Sequence, residues 1–96
     1  MTKPLSIHPA VLKRLTALPK PERVECLLAM CELPQTFRRP HQHSGLGIRK
    51  LSKNVFEFRG NISLRFVFLD RPTDLFVTFL GTHDEIRALL KRGKYR

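Results

Sequence analysis

Several residues that can do chemistry follow an apolar segment near the end of the chain. Thr82-His83-Asp84-Glu85 has the spacing of a capping box, in which a threonine caps a helix and a glutamate three residues later reaches back to it. His83 would then lie at the first helical position, where the helix dipole attracts an anion such as phosphate. Because histidine exchanges a proton near neutral pH, His83 is a candidate general acid or base. The alternative is an ordinary solvated residue at a helix start.

Charged residues also interrupt two segments that have the two-residue period of strands. Val55 to Arg59 and Ile62 to Leu69 place their phenylalanines on one face, so Glu57, Arg59 and Arg65 belong to the other. We therefore expect an open, basic sheet face. A guanidinium binds phosphate through two hydrogen bonds, which makes Arg65 a candidate phosphate ligand. Arg65 could instead pair with Glu57 across the hairpin, and Glu57 is then either a base or only that partner.

Further polar residues could contact a nucleic acid. The segment from Gln35 to Gly47 is polar and turn-rich, and its His41 and His43 are each either a base or a solvated loop residue. Phe37 and Tyr95 could stack on bases, although each could instead be a packing residue or lie in a disordered segment. The candidate phosphate contacts are Arg49, Lys50, Lys53, Arg59 and Arg87, although any one of them alone could be a plain surface charge.

Composition narrows the class of protein. The 96 residues suit a single domain over residues 1–96, and a hydrophobic content of 42% is enough for a core. Lysine and arginine number 18 against 8 acids, a net charge of +10 that favours a polyanion or an acidic protein as partner. Neither a membrane-length apolar run nor a secretory signal is visible, so we expect a cytoplasmic protein. Cys26 and Cys31 suggest neither a disulfide nor a metal site, and no cofactor is expected.

The remaining chain predicts helices before the loop and strands after it. Leu5 and Ile7 suit a short first strand. Two helices follow, Pro9 to Leu18 and Pro21 to Leu33, with Pro34 ending the second. The second helix carries an apolar stripe that we expect to face the core, formed by Val24, Leu27, Leu28 and Cys31. A tight turn that tolerates positive φ is predicted at Gly60-Asn61, and a last helix carries Ile86, Leu89 and Leu90. The predicted strands are Ile48 to Leu51, Val55 to Arg59, Ile62 to Leu69 and Leu75 to Leu80.

This order of elements resembles the RelE/ParE-like toxins of bacterial toxin–antitoxin pairs. Ile48-Arg49-Lys50-Leu51 and Phe56-Glu57-Phe58-Arg59 look like the family's second and third strands, and Leu64-Arg65-Phe66-Val67-Phe68 looks like its next strand. Leu80-Gly81-Thr82-His83 resembles the G-T-H of the YafQ branch. The resemblance implies an α+β fold with two N-terminal helices on a mainly antiparallel sheet of four to five strands, followed by a short C-terminal helix.

The resemblance also implies an activity and its residues. It implies a metal-independent endoribonuclease that cleaves mRNA, free or on the ribosome, and that a cognate antitoxin neutralises. Arg65 falls on the strand arginine that contacts the scissile phosphate in RelE, and His83 on the catalytic histidine of the YafQ branch. We therefore predict His83, Arg65, His43 and Glu57 as catalytic residues, with His41 as the alternative to His43.

The chain also departs from the family. Val55 and Glu57 stand where RelE carries paired lysines, and the tyrosine of the final segment falls on Leu89, with Tyr95 displaced. Two other functions remain open. One is a ParE-like protein that binds DNA gyrase and cleaves nothing, although that branch needs no histidine at position 83. The other is a non-catalytic nucleic-acid-binding module.

Overall fold

A five-stranded sheet with helices on both faces forms the framework in a computed structural model that describes residues 3–37 and 45–93. The strands are β1 (Leu5–Ile7), β2 (Arg49–Ser52), β3 (Val55–Arg59), β4 (Leu64–Asp70) and β5 (Leu75–Thr82), and the helices are α1 (Pro9–Ala17), α2 (Lys20–Thr36) and α3 (His83–Arg92). The strand order is β1-β5-β4-β3-β2, with β1 parallel to β5 and the other neighbours antiparallel. This arrangement confirms the predicted α+β fold.

Aromatic packing joins the sheet to the end of α2. Phe58 stacks on Phe66 with ring centroids 4.7 Å apart, and Phe56 stacks on Phe68 at 5.5 Å. Phe37, just after α2, meets Phe56 and Phe68 edge-on at 4.9 and 5.1 Å. Such contacts stabilise a core beyond the area that they bury. Phe37 is therefore engaged in packing, which is one of the two alternatives that the sequence left open for it.

The buried side of α2 differs from the predicted one. Cys26, Ala29, Met30 and Leu33 are buried, whereas the predicted stripe is exposed, Leu28 to 60%. Both sets have the spacing i, i+3, i+4, i+7, so periodicity alone cannot choose between them. Cys26 faces Gly60, where a Cβ would lie 3.0 Å from the Cys26 sulfur, so this side of the helix fits the sheet end at which glycine leaves space. The proline prediction also fails: α2 continues through Pro34 to Thr36, since a proline so near the helix end removes only one hydrogen bond.

The second sheet face is less open than predicted. Ile86 and Leu89 of α3 pack on Val55 and Val67, covering much of that face. The covered part is apolar, which explains why a helix docks there. The charged positions lie toward one end, where Arg59 is the Cα partner of Arg65. The prediction of an open basic face is therefore correct only for that end.

The β3–β4 turn is held by different interactions from those predicted. The side chain of Asn61 accepts hydrogen bonds from the backbone N–H groups of Ser63 and Leu64, both at 2.8 Å. Gly60 does not need positive φ. A Cβ at this position would lie 2.9 Å from the Phe66 ring and 3.0 Å from the Cys26 sulfur, so glycine provides space for the core. Positive φ occurs instead at Asn54, in the β2–β3 turn.

Candidate functional site

A buried carboxylate lies on the α3 side of the sheet, held by two arginines. Glu57 is only 1% exposed. Its Oε2 lies 3.0 Å from Nη2 of Arg49 and 3.5 Å from Nη1 of Arg65. The pairing follows from strand register, because Arg49 on β2 is the Cα partner of Glu57 on β3. Arg65 on β4 lies two pairs farther along the β3–β4 ladder, on the same face of the sheet. A buried carboxylate costs several kcal/mol unless it is paired, so the arginines are needed where they are.

The two arginines keep part of their binding capacity free. The Arg65 side chain is 27% exposed and that of Arg49 is 63% exposed. Each guanidinium carries five N–H donors, more than one carboxylate oxygen can accept. One negative charge against two positive charges leaves the cluster cationic. Oε1 of Glu57 accepts no hydrogen bond from the described residues. The arrangement therefore presents oriented donors to an anion, with Glu57 beneath the arginines.

The start of α3 is fixed by a complete capping box. The Thr82 hydroxyl accepts from the Glu85 N–H at 3.2 Å, and Oε1 of Glu85 accepts from the Thr82 N–H at 2.8 Å. Arg14 of α1 donates to both Glu85 oxygens at 2.9 and 3.0 Å. The hydrogen bond from Arg14, reinforced by the one from Thr82, lowers the pKa of Glu85 from 4.5 to about 2. As predicted, His83 occupies the first helical position, where it is exposed.

Helix geometry places His83 and Arg87 on one flank of α3. Ile86 and Leu89 point to the sheet, and at 3.6 residues per turn Glu85 falls on one side of them. His83 and Arg87, four residues apart, fall on the other side. On the sheet, Gly81 is the Cα partner of Arg65 and precedes His83 by two residues. The backbone thus brings the start of α3 to the charged end of the sheet.

An open groove of about 630 Å³ adjoins this end of the sheet. One wall is α2, and the other is formed by Arg59, Arg65 and the β3–β4 turn. Arg65 therefore belongs to both the Glu57 cluster and the groove. The sequence did not reveal this groove, because it depends on which side of α2 faces the sheet.

Other predicted site residues lie elsewhere. Lys50 is paired with Phe56, which places it on the opposite sheet face from Arg49 and Glu57. Lys53 lies in the turn at the start of β3, the strand end remote from Arg59. The predicted residues His41, His43 and Tyr95 lie outside the described residues. Arg14 was not predicted to take part, since nothing in α1 signals that it would reach Glu85.

Two searches of the described residues bear on metals and membranes. Within residues 3–37 and 45–93, no three side chains of histidine, cysteine, aspartate or glutamate are grouped so that they could hold a metal ion. In the same ranges no helix is long and apolar enough to cross a membrane.

Comparison with known proteins gives matches in structure only. No family model matches the chain, and no curated protein matches its sequence. The archaeal RelE–RelB complex from Pyrococcus horikoshii OT3 contains a chain with a TM-score of 0.68 and 20% identity, and the match covers 85% of this chain and 96% of that one. A mutant of the E. coli toxin RelE in the free state has a TM-score of 0.63 and 16% identity, with coverages of 96% and 98%.

The YoeB–YefM complex from Staphylococcus aureus gives a third match, with a TM-score of 0.59 and 15% identity over 86% of this chain and 99% of that one. At such identities a structural match speaks for the fold and not for the site residues. The sequence-based expectation and the three structures agree: this chain has the RelE-like fold.

Proposed function

We propose that this chain is the toxin of a toxin–antitoxin pair, a metal-independent endoribonuclease that cleaves mRNA and stops translation. The observation that carries the proposal is the buried Glu57 with Arg49 and Arg65 around it, next to the helix start that bears His83. Oriented arginines on the sheet and a histidine at the start of the adjoining helix suit phosphate chemistry. The likeness in fold to RelE and to YoeB supports the proposal.

The reaction assigned to this site uses the RNA 2′-hydroxyl as nucleophile. A base removes the 2′ proton, the oxygen attacks the adjacent phosphorus, and an acid protonates the departing 5′ oxygen. The products are a 2′,3′-cyclic phosphate and a 5′-hydroxyl. Arg65 and Arg49 stabilise the charge that develops on the phosphorane. His83 supplies one of the two proton transfers, an assignment that also draws on the likeness of the Gly81–His83 segment to the YafQ branch.

The second proton transfer requires another group. Glu57 is enclosed beneath the two arginines, so its role is to position them. His43, as predicted from the sequence, is the remaining candidate for the second proton transfer. Arg59 and Arg87 lie where they could bind flanking phosphates, and Lys50, Lys53 and Tyr95 would contribute only to longer RNA contacts.

The proposed partners follow from the fold and from charge. RelE was solved with RelB and YoeB with YefM. A cognate antitoxin for this chain, with a net charge of +10, would be acidic and would cover the charged end of the sheet. The substrate is mRNA, on its own or on the ribosome, and the cytoplasm is then the site of action.

Induced expression in a bacterial host tests the proposal. We expect growth to stop because incorporation of labelled methionine fails before incorporation of labelled thymidine. Inactive His83→Gln and Arg65→Ala proteins, made at equal levels, serve as controls and should permit growth. If thymidine incorporation fails first while translation continues, the gyrase-binding alternative is correct and the nuclease proposal is wrong.

A further inference from the structure

A row of nitrogen-bearing side chains runs along one flank of α3. His83, Arg87 and Lys91 are exposed and follow one another at intervals of four residues. Each interval advances the row by about 6 Å along the helix and turns it by only about 40°. Neither Arg87 nor Lys91 has an ion pair or a side-chain hydrogen bond with any described residue. The row therefore starts at the histidine proposed for proton transfer and continues with two cations that no described residue neutralises.

This row faces away from α1 and toward the β3 and β2 side of the sheet. Glu85 lies on the other flank of α3, where Arg14 of α1 donates to both its oxygens. Because β1 pairs with β5 and leads directly into α1, that flank belongs to the β5 side of the sheet. The flank with the row is therefore the one that faces Arg49 on β2.

The row also leads away from the Glu57 cluster. Gly81, just before the helix, is the Cα partner of Arg65, so α3 begins beside the cluster. Leu89, farther along α3, packs with Val55 at the opposite end of β3. The two cations of the row thus lie progressively farther from the scissile phosphate. Their spacing along the helix is comparable with the separation of neighbouring phosphates in an extended RNA strand.

The other path away from the Glu57 cluster has the opposite charge. Glu25 and Glu32 line the α2 wall of the groove beside Arg65. Neither carboxylate has an ion pair or a side-chain hydrogen bond with any described residue. Among the described residues that line the groove, Arg59 is the one further cation. An RNA phosphate therefore gains less in the groove than along α3, because two negative charges offset one positive charge.

We propose that the RNA strand leaves the Glu57 cluster along α3, where Arg87 and Lys91 bind two successive phosphates on one side of the scissile phosphate. This row of residues is the α3 track. The inference rests on the proposed function, because the track starts at residues assigned to cleavage. A guanidinium and an ammonium each bind phosphate oxygens through charge-assisted hydrogen bonds. RNA binding is then one-sided: nucleotides on the α3 side of the cleaved bond contribute affinity, and those on the groove side contribute little.

The salt dependence of binding counts the phosphate contacts. The probe is a labelled decamer of 2′-O-methyl uridine, which has no 2′-hydroxyl to act as nucleophile. In a single strand, each phosphate contact contributes about −0.7 to the slope of log affinity against log salt concentration. We expect Arg87→Gln and Lys91→Gln each to make the slope shallower by about 0.7, and the double variant by about 1.4. Arg92→Gln is the matched control, because Arg92 is exposed, lies next to Lys91 and is seven residues from Glu85, on the α1 side of the helix.

Neutral phosphates locate the track along the RNA. The substrate has a mapped cleavage position, a 2′-deoxy nucleotide at that position to prevent the reaction, and one methylphosphonate at a time in place of each flanking phosphate. We expect two neighbouring replacements, both on one side of the cleaved bond, to weaken binding to the wild-type protein. The nearer replacement should have no further effect in Arg87→Gln, and the farther one should have no further effect in Lys91→Gln.

Three results would overturn the α3 track. They are a salt slope that Arg87→Gln and Lys91→Gln leave at the wild-type value, an equal change of slope in Arg92→Gln, and equal sensitivity to methylphosphonates on both sides of the cleaved bond. The proposed function fails separately. Cleavage with unchanged slopes in these variants would keep the nuclease and remove the track. Shallower slopes in a protein that cuts no RNA would keep the track as an RNA-binding surface and remove the nuclease.

Discussion

Two glutamates, Glu85 and Glu57, form ion pairs with arginines but differ strongly in burial. The side chain of Glu85 is 41% exposed and has all its partners: Arg14 on both oxygens and the Thr82 N–H on one of them. That of Glu57 is 2% exposed, is shared by two arginines, and has an oxygen without a hydrogen bond from the described residues.

This is the difference that we expect between an ion pair that only stabilises the fold and one that belongs to the proposed site. The ion pair between Glu85 and Arg14 connects α3 to α1. Both oxygens of Glu85 are already occupied, so this ion pair leaves little capacity to bind another group. A buried ion pair is often no better for stability than hydrophobic packing, so stability alone does not explain the Glu57 cluster. The cluster holds two partly exposed cations around a buried carboxylate, which is the pattern expected of a preorganised anion site.

Removing Arg65 should give the largest effect. We expect Arg65→Ala to slow RNA cleavage by about 10²–10³-fold, because one donor to the transition state is lost. It should also lower stability by about 1–3 kcal/mol, since Glu57 keeps only Arg49. The double variant Glu57→Gln/Arg65→Ala, which no longer buries a charge, should recover stability but not cleavage. Urea unfolding and single-turnover cleavage measure the two effects, and recovery of cleavage in the double variant would refute the assignment.

Removing the charge of Glu57 should have a smaller effect on cleavage. Glu57→Gln keeps the shape but loses a charge-assisted contact that orients both arginines, so we expect cleavage to slow about tenfold, the equivalent of one such hydrogen bond. RNA affinity should not fall, because the site becomes more positive. The comparison variant Glu85→Gln should retain more activity than Glu57→Gln. The reverse order of the two would mean that Glu85 is the functional carboxylate.

Removing the helix cap should lower the stability of the fold. Thr82→Ala eliminates the hydroxyl that accepts from the Glu85 N–H, and loss of such a cap costs about 1 kcal/mol. Thr82→Ser retains the oxygen and is the control. Thermal unfolding should show a lower Tm for the alanine variant only. Equal Tm values for both variants would show that the cap does not stabilise α3.

Acidification should reduce, by a modest amount, the stability that the Glu85 ion pair contributes. The pKa of Glu85 is lowered from 4.5 to about 2, so its contribution to stability is complete above pH 4.5 and is lost as the pH falls toward 2. Asp74, which accepts hydrogen bonds from Arg71 and Ser6, has its pKa lowered from 3.8 to about 2 and acts in the same direction. In a Tm series from pH 6 to 2, Glu85→Gln should lose less stability than the wild type. Parallel curves would contradict the assigned pKa.

Much of the fold follows from local patterns, and the errors have specific causes. The alternation in β3 and β4 and the Thr82–Glu85 spacing predict their elements correctly, because each signal is local. The side of α2 that is buried could not be predicted, since two apolar stripes compete and the choice depends on Gly60 and the sheet.

The site was predictable in part. Strand parity places Glu57 and Arg65 on one face, and their pairing follows from the register. The burial of Glu57 was not predictable, because it depends on α3 covering the sheet. The groove likewise depends on the β3–β4 turn meeting α2, a contact between residues distant in sequence.

The most direct test of the central claim is cleavage of a synthetic mRNA by the purified protein in EDTA, with and without ribosomes. The substrate is compared with one that carries a single 2′-deoxy nucleotide at the cleaved position. We predict cleavage in EDTA, a 2′,3′-cyclic phosphate on the upstream product, no cleavage at the 2′-deoxy position, and loss of activity in His83→Gln. Cleavage that requires a divalent metal, or that continues at the 2′-deoxy position, would contradict it.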